Sequence, residues 1–254
     1  MRVGIIGHGV VGNTISRKMR EYANDEIVTC DIIKGKADYE DIQEMPFCET
    51  IIIAVVTTEQ VIEVISKLHP KTMPYLISIE STCQVGTWHK IKDIVGKDIQ
   101  VIMFPERIYP RDEFHGIFNQ PRIMGGDIKE GRAFYDRYII RENIIEASTA
   151  DMASLVKLTE NSYRHILISI AEELKMIFGD RFEELRKLCN TKWNIDIMEA
   201  REGISGLCLP KDIRILHEYT KSDLLEMVML IDEKYRKELE DGGKVLVSQI
   251  SNNR

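Results

Sequence analysis

The amino-acid sequence predicts an α/β fold, a doubly wound parallel sheet followed by a mostly helical domain with one long helix. Three observations predict it. Short Ile- and Val-rich runs recur through the first half, segments long enough for crossover helices separate them, and after about Gly126 only helical spacing remains.

The runs cover 2–7, 26–31, 50–56, 75–80, 99–104 and 122–125. Most are apolar on both faces, which suits a parallel sheet covered by helices on each side. Beyond them, 128–140 and 149–178 carry apolar residues at helical spacing with no strand-like run between, and a charged helix is expected over 222–239. In the long segment, Met152, Leu155, Val156, Tyr163, Ile166, Ile170 and Leu174 recur at helical steps and form one apolar stripe. A helix of that length spans ~45 Å, a length that suits a support between two domains or a homodimer contact. The expected division is a dinucleotide-binding domain over 1–127 and a helical substrate and dimerisation domain over 128–254.

Composition narrows the function classes. With 44% apolar and 30% charged residues and a net charge of −7, the 254-residue chain reads as a folded protein with no broad footprint for nucleic acid. No stretch approaches the ~18 apolar residues of a membrane span, and the N-terminus lacks a secretory pattern, so a cytoplasmic address is expected. Cys30, Cys48, Cys83, Cys189 and Cys208 are scattered and form no CxxC pair. The histidines, including His8, show no metal-ligand pairing, so no metal is expected.

Gly7-His8-Gly9-Val10-Val11-Gly12 follows the first apolar run and opens a helix-compatible segment, the context that a dinucleotide-binding Rossmann turn needs. Gly7 permits the tight turn, Gly9 lets a pyrophosphate approach the backbone, and Gly12 allows close helix–strand packing, while the helix N-terminus meets the phosphate charge. Asp31 ends the second run, close to the ~20-residue spacing of a carboxylate that binds the adenosine ribose. It favours NAD over NADP, against the opposing influence of Lys34 and Lys36. Asp31 capping its own turn is the alternative. Thr57 and Lys211 are taken as further cofactor-binding candidates.

Three other segments carry polar residues that a plain scaffold does not need. Phe104-Pro105-Glu106-Arg107-Ile108-Tyr109-Pro110 follows the fifth run, where open α/β sheets bind ligands. Lys157 and Asn161 stand four apart on the long helix and share a face. Gly206-Leu207-Cys208-Leu209-Pro210-Lys211-Asp212 sets a cysteine between a glycine turn and a helix start, beside a lysine, a setting suited to a reactive thiol. Bland readings stand beside these: Cys208 as a small core residue, Lys157 and Asn161 as a solvated face, and Glu106 as a partner of Arg107 or Arg111.

At these residues the sequence resembles the UDP-glucose/GDP-mannose dehydrogenase family, most closely its UDP-N-acetylmannosamine and UDP-N-acetylglucosamine 6-dehydrogenase branch. Besides the glycine turn, Ser81-Thr82 with Val85-Gly86-Thr87 resembles the family's STVPVGT segment, Pro105-Glu106-Arg107 its PER, and Arg122 with Gly125-Gly126 the strand before its second domain. Lys157-Leu158, Glu160-Asn161 and Tyr163-Arg164 are similar to its KLxENxYR helix, and Gly206 to Asp212 to its GGxCxPxD loop. The resemblance implies oxidation of a nucleotide sugar's C6 alcohol to a carboxylate with reduction of two NAD. In it Lys157 and Asn161 stabilise an oxyanion, Cys208 is the nucleophile, Glu106 with Asp212 activates water, and Thr82 positions water or substrate.

The pattern also departs from the family. Only a helix and a short tail follow Asp212, so the family's C-terminal UDP-binding domain is expected to be absent. The connection from Ile195-Asp196-Ile197 to Gly206 is abbreviated, and Arg111 replaces the usual glycine after the motif's second proline. Two alternatives therefore stand beside the nucleotide-sugar enzyme: a catalytically idle relative that binds NAD or a partner, and a dehydrogenase of a smaller hydroxy substrate that uses lysine without the cysteine.

Overall fold

The computed structural model describes residues 1–68, 72–108 and 118–251. The predicted α/β class is present, in two compact units, Met1–Lys157 and Leu158–Arg254. Residues 128–157, expected with the helical part, pack here with the sheet.

The first unit is built on seven strands: β1 (Arg2–Ile6), β2 (Glu26–Cys30), β3 (Thr50–Ile53), β4 (Leu76–Ile79), β5 (Gln100–Met103), β6 (Arg122–Gly126) and β7 (Ile144–Glu146). Their order is β2-β1-β3-β4-β5-β6-β7. The first five are parallel, β6 runs antiparallel to β5, and β7 pairs parallel with β6. The sheet is thus mostly parallel, as expected, and one expectation is corrected: a strand does lie between residue 128 and the long helix. Of β7 only Ile144 is buried, and a three-residue strand is too short to show a period.

Among the described residues, four helices cover this sheet: α1 (Val10–Tyr22), α2 (Thr58–Lys67), α3 (Thr87–Val95) and α4 (Ile128–Tyr135). Because side chains alternate along a strand, Ile51, Ile53, Ile77 and Ile79 pack with Val61, Ile65 and Ile91, while Val3, Ile5, Ile102 and Phe104 pack with Ile15, Met19 and Tyr135. Strand order reverses between β1 and β3, and the crevice at their carboxyl ends is where such sheets bind ligands.

The long helix is α5 (Ala150–Phe178), as the stripe predicted. Its burial differs from the stripe. Tyr163 is 62%, Ile170 46% and Ile177 61% exposed, whereas Ser162, His165, Ser169 and Glu172 are buried. The second unit continues through α6 (Phe182–Cys189), α7 (Cys208–Thr220) and α8 (Asp223–Ser251), the last running beyond the expected end at 239. Among the described residues no helix is long and apolar enough to cross a membrane.

Candidate functional site

In the first unit the glycine turn has the geometry its residues predict. Gly7 adopts φ +89°, and a Cβ there would lie 2.5 Å from the Ala54 carbonyl oxygen, so a side chain is excluded by both conformation and space. A Cβ on Gly12 would collide with the Gly7 carbonyl, so α1 seats against β1 only with glycine. Gly9 faces open space, with nothing within 4 Å of a Cβ position, and caps α1 without a side-chain hydrogen bond. The first-turn N–H groups, including those of Val10 and Val11, are thus left to an anion.

Asp31 follows β2 directly. Its carboxylate accepts from the N–H of His8 at 2.8 Å and of Ile33 at 3.0 Å, and the Lys36 ammonium stands 3.4 Å away. Burial pushes this carboxyl up, but the two N–H donors and Lys36 outweigh it and hold it below the usual carboxylate range. Asp31 caps its turn and stays an anionic acceptor. The His8 ring spans the Lys36 carbonyl oxygen and the Ser16 hydroxyl, tying the glycine turn to the segment after β2. Thr57 caps α2, its hydroxyl accepting from the Gln60 N–H at 3.2 Å.

At the carboxyl ends of β4 and β5 lies a polar cluster. Glu106 is 4% exposed and accepts from the Arg107 N–H at 2.7 Å. Arg122, fully buried, sets one guanidinium nitrogen 3.1 Å from Glu106 and donates it to Glu80 and, at 2.6 Å, to the Phe104 carbonyl. The Tyr135 hydroxyl donates to Glu80 at 2.6 Å and lies 2.9 Å from the Ser78 hydroxyl. Burial pushes the Glu106 carboxyl up to about 7; Arg122 and Lys157 oppose that shift and Glu80 reinforces it. Half-buried Thr82 follows Ser81 beyond β4. Tyr109, Pro110 and Arg111 lie outside the described residues.

The second unit contains another cluster. Cys208 is the first residue of α7 and is exposed, so the reading of this thiol as a small core residue does not hold. Pro210 sits in the first turn, where its missing N–H costs nothing. One turn on, Asp212 is buried; it accepts from the Asn161 amide at 2.5 Å, and the Lys211 ammonium stands 2.6 Å from its other oxygen. The loop before Cys208 is pinned by α8: Asp232 accepts from the Ile204 N–H at 2.8 Å, and the Tyr235 hydroxyl donates to the Arg201 carbonyl at 2.8 Å. A cavity of about 360 Å³ is lined by residues including Pro210, Arg214, Asp232 and Arg236.

Residues 151–234, which include Lys157, Asn161, Cys208 and Asp212, match the model of the UDP-glucose/GDP-mannose dehydrogenase family, central domain. The match takes in about a third of the chain. A UDP-N-acetyl-D-mannosamine dehydrogenase of Pyrococcus horikoshii is 31% identical over 175 residues, covering 63% of this chain and 42% of the relative. The chain thus spans less than half of that relative's length. Among solved structures, the UDP-D-ManNAc dehydrogenase of Pyrococcus horikoshii superposes with TM-score 0.83 at 22% identity, over 100% of this chain and 72% of that one. A 3-hydroxyisobutyrate dehydrogenase from Salmonella typhimurium gives TM-score 0.66 at 14% identity, over 95% of each chain. At these identities the two likenesses report the fold.

The structure ties Asp31 to the glycine turn through the His8 N–H, Glu106 to Arg122, and Asn161 and Lys211 to Asp212. Sequence reasoning missed Glu80, Tyr135 and His8 and read Arg122 only as part of a strand motif. A charged residue ending an apolar run, as Glu80 does, and an arginine opening one, as Arg122 does, were the signals available.

Proposed function

We propose that the chain is an NAD-dependent oxidoreductase that converts the C6 alcohol of a nucleotide sugar to a carboxylate through a thioester on Cys208. The observation that carries this is the arrangement at the start of α7: an exposed thiol at a helix N-terminus, one turn from a buried aspartate held by Asn161 and Lys211.

The glycine turn fits a dinucleotide. The open space at Gly9 and the uncapped N-terminus of α1 suit its pyrophosphate, and the ionised Asp31 suits the ribose diol and repels a 2′-phosphate. NAD held there would supply the hydride acceptor that each of the two oxidations needs. Lys157 and Asn161 stabilise the oxyanion formed when the alcohol, and later the thiohemiacetal, releases its hydroxyl proton to water; hydride departure from carbon then turns that oxyanion into a carbonyl. The Cys208 thiolate adds to the aldehyde carbon and keeps it bound for the second oxidation. Glu106, whose proton affinity lies near neutrality, takes a proton from the water that attacks the thioester. The C–S bond breaks, the thiolate is restored, and the sugar carboxylate leaves. Thr82 positions the water or the sugar, and Asp212 orients Asn161.

The exposed aliphatic residues of α5 support pairing with a second copy of the chain, which light scattering at micromolar concentration tests. A second reading, oxidation of a smaller hydroxy substrate, is favoured by the 95% mutual coverage with the 3-hydroxyisobutyrate dehydrogenase. It requires no thiol. Incubation with NAD and a panel of nucleotide sugars and hydroxy acids separates the two: sugar-dependent NADH lost in Cys208→Ala supports the thioester route, and full activity of that variant supports the second.

A further inference from the structure

Glu106 does not meet its environment alone. Period-two alternation along β4 puts Ser78, and Glu80 just beyond it, on the face covered by α4. Tyr135 of α4 donates to Glu80 at 2.6 Å there. Arg122 enters from β6, its guanidinium carbon 3.7 Å from the centre of the Phe104 ring. One nitrogen of this cation serves both carboxylates, donating to Glu80 and standing 3.1 Å from Glu106. The three charged residues of the set are all 4% exposed or less.

Two carboxylates that share one guanidinium in a space closed to water repel each other, so the charge of Glu80 disfavours charge on Glu106. Glu80 accepts from the Tyr135 hydroxyl, from Arg122 and, at 3.4 Å, from the Ser78 hydroxyl, all donors to a carboxylate. Glu106 has the Arg107 N–H and its share of Arg122.

We propose that Glu80 and Tyr135, acting through the shared Arg122 guanidinium, are positioning residues that set how tightly Glu106 holds its proton. The proposal rests on the reading of Glu106 as the water-activating group and adds the part of the fold that poises it. The charged and titratable groups acting on Glu106 among the described residues are Arg122 from β6, Glu80 beyond β4, Lys157 from α5 and, through Glu80 and Arg122, Tyr135 from α4. Burial opposes charge on Glu106, Arg122 and Lys157 favour it, and Glu80 opposes it, so removing the charge of Glu80 lowers the pH at which Glu106 titrates.

The test follows the carboxyls directly. Protein labelled with carboxyl-¹³C glutamate is titrated by NMR, the Glu106 resonance being the one absent from Glu106→Gln and the Glu80 resonance the one absent from Glu80→Gln. In the native chain Glu106 titrates near neutrality. In Glu80→Gln its midpoint falls by about 1 pH unit or more, a tenfold loss of proton affinity. Tyr135→Phe keeps the ring and removes the donor to Glu80, so the Glu106 midpoint moves from its native value there as well. A Glu106 midpoint that stays in place in both variants overturns the proposal. These titrations need no turnover: a chain inert toward every sugar tested loses the hydrolytic role of Glu106, while the titrations still decide whether Glu80 and Tyr135 govern it.

Discussion

The sheet unit and the helical unit solve the problem of an interior in opposite ways. In the first, Ile and Val fill both faces of the sheet, and the buried charged residues Glu80, Glu106 and Arg122 gather in one cluster. In the second, α5 buries Ser162, His165, Ser169 and Glu172 and exposes Tyr163, Ile170 and Ile177. Apolar burial contributes ~25 cal/mol per Å² whatever the pH, whereas buried titratable groups make stability depend on their protonation. The pH dependence of each unit is thus carried by its buried carboxyls, Glu106 in the sheet unit and Glu172 in the helical unit.

The largest effect expected breaks the sheet unit at its polar cluster. Arg122→Met leaves Glu80 and Glu106 buried without their cation and costs about 3–5 kcal/mol, read as a lower urea midpoint. A loss below ~1 kcal/mol contradicts the shared ion pair.

The next concerns Glu172 in the helical unit, whose carboxyl burial pushes up to about 7, with Asp232 reinforcing and Arg236 opposing the shift. A carboxyl that binds its proton more tightly when folded contributes full stability below the ordinary carboxylate range, and loses it as pH rises from there through about 7. Glu172→Gln removes that dependence and stabilises the chain at about pH 8 relative to about pH 5 by up to ~3 kcal/mol. Thermal midpoints at the two pH values check it, and an equal change at both contradicts it.

A smaller effect separates binding from folding within the sheet unit. Gly9→Ala introduces a Cβ into open space, so the fold stands while NAD binds about tenfold more weakly, ~1.4 kcal/mol. Gly12→Ala meets the Gly7 carbonyl and lowers both stability and affinity. Calorimetric titration beside thermal melts distinguishes the pair. The smallest is Ile170→Ser, on the exposed face of α5, expected to change the unfolding free energy of an isolated chain by less than ~0.5 kcal/mol while weakening self-association. A large loss of stability in dilute protein would place that face in the core.

What was legible in the sequence follows the same contrast. Gly7, Gly9, Gly12 and Asp31 announce themselves because a turn, a close approach and a strand end impose residue types over a short span. The Cys208 loop is likewise local. Glu80, Arg122 and Tyr135 meet across 42 and 55 positions of chain, and nothing in each residue's neighbours says that they share a proton network. The stripe on α5 was legible as helix but not in its direction, since periodicity locates an apolar face without saying what covers it. The antiparallel β6 escaped because strand direction is set by connections, not by composition.

Counting NADH against sugar consumed decides whether oxidation passes through a covalent bond to Cys208. Two NADH per sugar and a carboxylate product are expected from the native chain, with one NADH and free aldehyde from Cys208→Ser. Carboxylate formed at the native rate by that variant would overturn the thioester route.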